Sequence, residues 1–326
     1  MRKMNLYLAL LVTVPNVVSK APEPPRHLTL TYSCYLIGIP KNTKTLDCWI
    51  PVPSSDDRQD IKIVKVDSSL GHLTIERKYG NRMYYRHIDL SETQTTDTVA
   101  ISISYEIVVN EKSVHEAKEL TTLPKSKPGD EMKVYLGANS LIPLQGPIAE
   151  LNRQLNLSDM PIPAARQIYD YLIENMVYNY KAPGAGRGDV LWACNSRTGD
   201  CSDYHSMFIG LCRSAGIPAD HVFGLPLRVR HGKAEISDWH CWARFWVNGP
   251  GWITIDASEA SKHPELRDYN FGTLSDVFVS WSHGRDVILE PAQKSQPLNI
   301  FASPYVEANG KNFQNVQWSA VYEDEK

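Results

Sequence analysis

The sequence predicts an α+β protein, with an immunoglobulin-like β-sandwich ahead of a domain of mixed helices and strands. Three observations carry that expectation. Apolar residues recur with period two from about His27 to Asn110, the pattern of strands with one buried face. The period becomes helical after Pro161 and again after Cys201. Two aromatic, strand-like runs, Trp239–Val247 and Trp252–Asp256, then flank a turn at Asn248-Gly249-Pro250-Gly251. The 326 residues suit about two domains at the usual ~100–200 residues each. A composition of 42% hydrophobic and 22% charged residues is that of a packed globular chain. Four segments are expected: an export signal at 1–19, the sandwich at 20–130, the second domain at 131–310 and a C-terminal tail at 311–326.

The elements follow in order. Met1-Arg2-Lys3 precedes an uncharged stretch from Leu6 to Val18, and Val17 and Ser19 are small enough for a signal-peptidase cut after Ser19. This predicts export to the periplasm or beyond, an oxidising compartment. No other apolar run approaches the ~18 residues of a spanning helix, so no membrane span is expected in the mature chain. In the first half, Leu28, Leu30, Tyr32, Cys34 and Leu36 share one strand face, and Ile101, Ile103, Tyr105, Ile107 and Val109 share another. Shorter strands are expected at Ile61–Val66, Leu73–Arg77 and Met83–Ile88. Residues 111–160, broken by Pro124, Pro128 and Pro143, read as a connector with a short helix near Ile148–Leu155. Pro161 and Pro163 then open a helix of about four turns through Ile168, Tyr171, Leu172 and Met176.

Several function classes are disfavoured. Thirty-four basic against thirty-seven acidic residues leave a net charge of −3, no footing for a broad nucleic-acid surface. The six cysteines contain no CxxC pair, which argues against the usual structural zinc sites; no metal and no cofactor are expected. The loop Gly184-Ala185-Gly186-Arg187-Gly188 lacks the GK[ST] ending of a phosphate loop.

Chemistry centres on Cys201, which follows Thr198-Gly199-Asp200 and opens a helix with Met207, Phe208, Leu211 and Cys212 on its apolar face. The helix N-terminus favours thiolate. Lowering a thiol from ~8.5 to ~4 takes roughly 6 kcal/mol, however, and a helix end supplies at best about 2 kcal/mol. An imidazolium partner is required. His205 lies one turn along the same helix, away from its open end, and suits packing or hydrogen bonding. His240 heads the first aromatic strand and Asp256 ends the next, so a carboxylate on a neighbouring strand can orient the ring. This pairing makes a demand on register. With a four-residue loop Asp256 would face Ala243, away from His240; with a three- or five-residue loop it opposes Trp242, diagonal to His240 at ~7–8 Å.

The segments Gly199–Ala219 (GDCSDYHSMFIGLCRSAGIPA) and Trp239–Ala260 (WHCWARFWVNGPGWITIDASEA) resemble the transglutaminase-like core of the papain-type superfamily. The likeness extends over roughly Pro161–Tyr305, through Phe271-Gly272-Thr273 and Gly284-Arg285-Asp286, as in exported bacterial members. The resemblance implies a transglutaminase-like (papain-type) α+β domain, with Cys201 as nucleophile, His240 as base and Asp256 as orienting acid. It also implies a thioester formed from a peptide, protein or cell-wall peptide and resolved by water or an amine. Asp200 stands where crosslinking transglutaminases usually have Gln, and acidic calcium sites are not evident, which favours hydrolysis over calcium-dependent crosslinking. Tyr178, Trp192 and Trp242 are expected at the oxyanion site or cleft, with Trp239 nearby. The rival expectation is a non-catalytic relative binding peptide or glycan, against which the intact trio argues. Of the other cysteines, Cys34 and Cys48 are placed to bridge across paired strands, Cys212 and Cys241 are expected in the core, and Cys194 is the thiol expected to interfere with Cys201.

Overall fold

The computed structural model describes residues 24–67, 70–91, 97–114 and 129–325. The expected export segment, 1–19, and part of the connector lie outside the described residues. The first half forms β1 (Arg26–Ile37), β2 (Thr45–Val52), β3 (Gln59–Val66), β4 (His72–Ile75), β5 (Arg82–Asp89), β6 (Thr98–Val109) and β7 (Lys112–Ser113). Next come α1 (Pro147–Leu155), α2 (Pro161–Asn175), β8 (Val177–Tyr178), α3 (Val190–Ser196), β9 (Thr198–Gly199) and α4 (Cys201–Ser214). They are followed by β10 (Ala219–Pro226), β11 (Lys233–Ile236), β12 (His240–Val247), β13 (Gly251–Ile255), α5 (Ala257–Lys262), β14 (Thr273–Leu274) and β15 (Phe278–His283). The chain ends in β16 (Tyr305–Ala308), β17 (Lys311–Asn312) and β18 (Val316–Asp324).

Two five-stranded sheets, ordered β11-β18-β1-β6-β3 and β17-β16-β2-β5-β4, hold the first half. The period-two pattern has its expected consequence: Leu28, Leu30, Tyr32, Cys34 and Leu36 are buried together with Ile101, Ile103, Tyr105 and Ile107, against Leu46, Cys48, Ile50 and Val52 of the other sheet. Each such aliphatic side chain withdrawn from water contributes about 1.5–3 kcal/mol.

Neither sheet is complete within residues 20–130. β18 runs antiparallel to β1 from Leu28↔Asp324 to Leu36↔Val316, and β16 pairs with β2. The segment expected as a tail, 311–326, thus contains an interior strand. Its alternation of Val316, Trp318, Ala320 and Tyr322 with polar partners is a strand signal of the same kind. Arg26 and Asp324 tie the two ends together by a buried ion pair at 2.7 Å. Cys34 and Cys48 lie on different sheets rather than on paired strands, and none of the six cysteines is in a disulfide.

The second core joins helices to a four-stranded antiparallel sheet, β13-β12-β10-β15. Prolines at the first positions start α1 and α2, where a missing N–H costs nothing. Ile168, Tyr169 and Leu172 of α2 meet Phe208 and Leu211 of α4 and Phe245 and Ile255 of the sheet. α4 is buried on every side, from Cys201 to Arg213. Its polar residues therefore have to find partners inside the protein, and these assemble the site. Gly216, at φ +76°, stops the helix as its sequence suggests.

Gly224 on β10 faces His240 on β12, beside a register shift in the β10–β15 pairing. A Cβ here would meet the Trp242 ring at 2.3 Å and the Val279 carbonyl at 2.4 Å. Gly224→Ala is expected to cost about 1–3 kcal/mol by overpacking, measured as a lower urea midpoint with an unchanged slope. An unaltered midpoint would refute the close approach.

Candidate active site

The nucleophile's position is set by a reciprocal cap at the start of α4. The Asp200 carboxylate accepts from the Ser202 N–H at 2.8 Å, and Asp203 accepts from the Asp200 N–H at 3.0 Å. Asp203 also accepts from Gly186 and Gly188 at 2.8 and 2.9 Å. The Gly-rich loop thus wraps an internal carboxylate, which uses the N–H groups a phosphate would need. Cys201 is thereby presented on the first turn, 6% exposed, at the wall of a cleft of about 680 Å³.

His240 and Asp256 arrive from the β12–β13 hairpin. Its loop is three residues long: Val247 pairs with Gly251 and Ala243 with Ile255, the register that places Asp256 on the His240 side. His240 Nε2 lies 2.6 Å from Asp256 Oδ2. The other Asp256 oxygen accepts from Ser258 Oγ at 2.8 Å and the Glu259 N–H at 2.9 Å, so the same carboxylate caps α5. With Nε2 committed, Nδ1 is the nitrogen left for Cys201, which lines the same cleft as His240.

The electrostatics follow from these contacts. A hydrogen bond from the Cys241 thiol pulls the Cys201 thiol down; burial opposes this, and the bond and charge of His240 add to it, leaving Cys201 well below the usual thiol range. For His240, burial disfavours the cation, but the Asp256 carboxylate and Cys201 outweigh it and hold the imidazolium well above its ordinary value. Asp256 is likewise pushed up by burial and held well below the carboxylate range by the charge and bond of His240. Asp200 is raised to about 7 by burial and by the neighbouring Cys201 and Asp203 charges, and burial raises Asp203 as well.

His205 is fully buried; its Nε2 accepts from the Ala257 N–H at 3.2 Å, the packing and bonding role expected of it. Tyr178 lines the cleft, with Lys262 Nζ 4.6 Å from its ring centre. Trp192 and Trp242 are corrections. Trp192 packs on the helical core, so close to Gly184 that a Cβ there would meet its ring at 2.8 Å. Trp242 is 1% exposed and stacks behind Phe278, which itself lies 5.1 Å from His240. The cleft walls are instead Tyr178, Tyr180, Trp239, Phe278 and Trp318. Paired charges Arg228–Asp238 and Lys262–Glu259 also line it. Trp318, from the expected tail, was not foreseen; Glu259, 3.9 Å from His240 Nε2, was foreseen only as part of the motif. Cys194 packs into the helical core, and the thiol beside Cys201 is Cys241.

Two trios bring possible metal-ligating atoms within 4.8 Å of one another: His240, Asp256 and Glu259, and His205, His221 and Cys241. In the first, the His240 Nε2 lone pair is replaced by an N–H donated to Asp256 when the ring is the imidazolium described above. In the second, His221 Nε2 turns an N–H rather than a lone pair toward Cys241, as argued below.

Comparison with known proteins places this geometry. A family model described as the transglutaminase-like superfamily matches residues 149–257, the stretch that contains Cys201, His240 and Asp256. An uncharacterized protein of Haemophilus influenzae is 27% identical over 321 residues, covering 87% of this chain and 86% of that protein. Among solved structures, a candidate cysteine protease from Cytophaga hutchinsonii superposes with a TM-score of 0.60 at 14% identity, over 94% of this chain and 93% of that one. At that identity the likeness concerns the fold. Residues 149–257 are thus similar to the transglutaminase-like superfamily, in a fold of mixed helix and strand like that of the candidate cysteine protease.

Proposed function

We propose that this protein is an exported cysteine-dependent enzyme of acyl transfer, which hydrolyses a peptide or amide bond through a thioester on Cys201. The observation that supports this most is His240, bonded to the buried Asp256 carboxylate, lining one cleft with the thiol that opens α4. A binding groove has no need of that arrangement.

In this reading the Cys201 thiolate adds to the substrate carbonyl, and His240, as imidazolium, protonates the leaving amine. Water, deprotonated by the now neutral His240, attacks the thioester; the acid departs and Cys201 is again a thiolate beside an imidazolium. An amine in place of water would give transfer rather than hydrolysis. Asp256 keeps the ring in register and stabilises its charge. The Cys201 N–H at the helix end and the Tyr178 hydroxyl are the donors proposed for the oxyanion. The flat walls of Tyr180, Trp239 and Trp318 suit an extended peptide, including the peptide stems of a cell wall. The paired sheets act as an immunoglobulin-like support that lends Trp318 to the cleft. Export rests on the basic and apolar pattern of residues 1–19; among the described residues no helix is long and apolar enough to cross a membrane.

Mass spectrometry of the purified protein incubated with peptide and peptidoglycan fragments tests the proposal, with Cys201→Ala as blank. The expected result is cleavage products, together with an acyl adduct on Cys201 in acid-quenched samples, both absent from the blank. Equal product formation by wild type and Cys201→Ala would exclude the thiol mechanism.

A further inference from the structure

We propose that Cys201 and Cys241 form a reversible redox pair, in which Cys241 is the buried resolving thiol that closes a disulfide onto Cys201 once Cys201 has reacted with a low-molecular-weight disulfide. The two residues share one buried cluster with Phe223 and Ala302. Cys201 faces the cleft, whereas Cys241 is 0% exposed. A reagent can therefore meet Cys201, and only Cys201 can meet Cys241.

A buried cysteine next to apolar side chains would ordinarily be inert core. The surroundings of this one are different. His221 Nε2 lies 3.3 Å from the Cys241 sulfur, His205 Nδ1 3.8 Å and Ser202 Oγ 3.8 Å. The proton of the His221 ring can be assigned from its far side. Arg285 Nε donates to His221 Nδ1 at 3.1 Å, and a guanidinium only donates, so the His221 proton is on Nε2 and points at Cys241. His205 Nδ1 faces the same sulfur, while its Nε2 lies 3.2 Å from the Ala257 nitrogen and 3.4 Å from Asp256 Oδ1. A bound cation would need a lone pair on His221 Nε2. Burial and the neighbouring Cys201 hold the Cys241 thiol well above its ordinary range, and the His221 N–H directed at the sulfur is the donor that offsets this as the sulfur acquires negative charge in thiol–disulfide exchange.

The exchange balances in two steps. Cys201 thiolate attacks one sulfur of R–S–S–R, forming Cys201–S–S–R and releasing RS⁻. Cys241 then attacks the Cys201 sulfur, its proton passes to the departing second thiolate, and Cys201–S–S–Cys241 remains. The protein's two thiols are oxidised by two electrons, and the small disulfide is reduced to two thiols. The product blocks the nucleophile until a reductant restores it. The proposal needs Cys201 to react with a disulfide but does not depend on the acyl-transfer reading.

Oxidised glutathione added to the reduced, full chain tests it, with acid quenching, intact mass and peptide mapping. Wild type is expected to become lighter by two hydrogens, with the Cys201 and Cys241 peptides joined, and to be restored by dithiothreitol. Cys241→Ser is expected to stop at a stable glutathione adduct on Cys201, and His221→Ala to close about tenfold more slowly through loss of one donor to the sulfur. The wild-type map needs no variant, so a folding defect in either substitution leaves the result readable. A persistent glutathione adduct on wild type, no reaction at Cys201, or a bridge to Cys194 would overturn the proposal. Closure is read by mass and hydrolysis by turnover, so the two proposals fail separately.

Discussion

In His240→Ala, iodoacetamide is expected to alkylate Cys201 at mildly acidic pH no faster than an ordinary exposed thiol, while the wild type reacts readily. The helix end offers at best about 2 kcal/mol toward ionising the sulfur, and the Cys241 hydrogen bond cannot supply a counter-charge. His240 supplies it, and its removal leaves Asp256 as a second buried anion that opposes thiolate. The pH profile should follow. In the wild type the ion pair persists between the lowered Cys201 value and the raised His240 value, so reactivity and turnover are level through neutrality. They fall at low pH as the thiolate takes a proton, and turnover falls at high pH as the imidazolium loses one. In His240→Ala the acid limb moves up toward the ordinary thiol value of ~8.5, and turnover drops by about four orders of magnitude or more. Alkylation that is as fast in the variant as in the wild type would remove His240 from the chemistry.

Asp256→Ala is expected to damage both turnover and stability. The carboxylate is 3% exposed and binds His240 on one oxygen and the start of α5 on the other. Without it, His240 is a buried cation with one partner lost, and α5 loses its cap; breaking such a pair costs about 3–5 kcal/mol, measurable by urea denaturation. The pH dependence has a definite sign. Asp256 titrates lower when folded, so its contribution is full above the unfolded value and is lost as pH falls through the folded one. His240 titrates higher when folded, so its contribution is full below its unfolded value and is lost as pH rises through the folded one. The stability gap between wild type and Asp256→Ala should therefore be widest between about pH 4 and 6.5 and narrow on either side. Asp256→Asn keeps a cap and much of the shape, so it should lose about 10⁴ in turnover with a smaller loss of stability. A gap that is flat with pH would show that Asp256 acts by shape alone.

Much of this could be read along the chain, because it depends on neighbours in sequence. The alternation in β1 and β6, the prolines that start α1 and α2, the cap before Cys201 and the glycine after α4 are local preferences of the backbone. The reach from Asp256 to His240 was legible too, since within one hairpin the loop length dictates which residues oppose, and a three-residue loop satisfied it. What could not be read was the identity of partners distant in sequence. Alternation says that Val316, Trp318, Ala320 and Tyr322 have an apolar face, but not that β1 receives it or that Trp318 reaches the cleft. It says that Cys241 points away from the His240 side chain and inward, but not that α4 brings Cys201 and His205, and β10 brings His221, to meet it there. Trp192 and Trp242 failed as cleft residues for the same reason: an aromatic near a motif in sequence can be carried to either side of a sheet. Periodicity records which way a side chain faces, and only packing between remote segments determines what it faces.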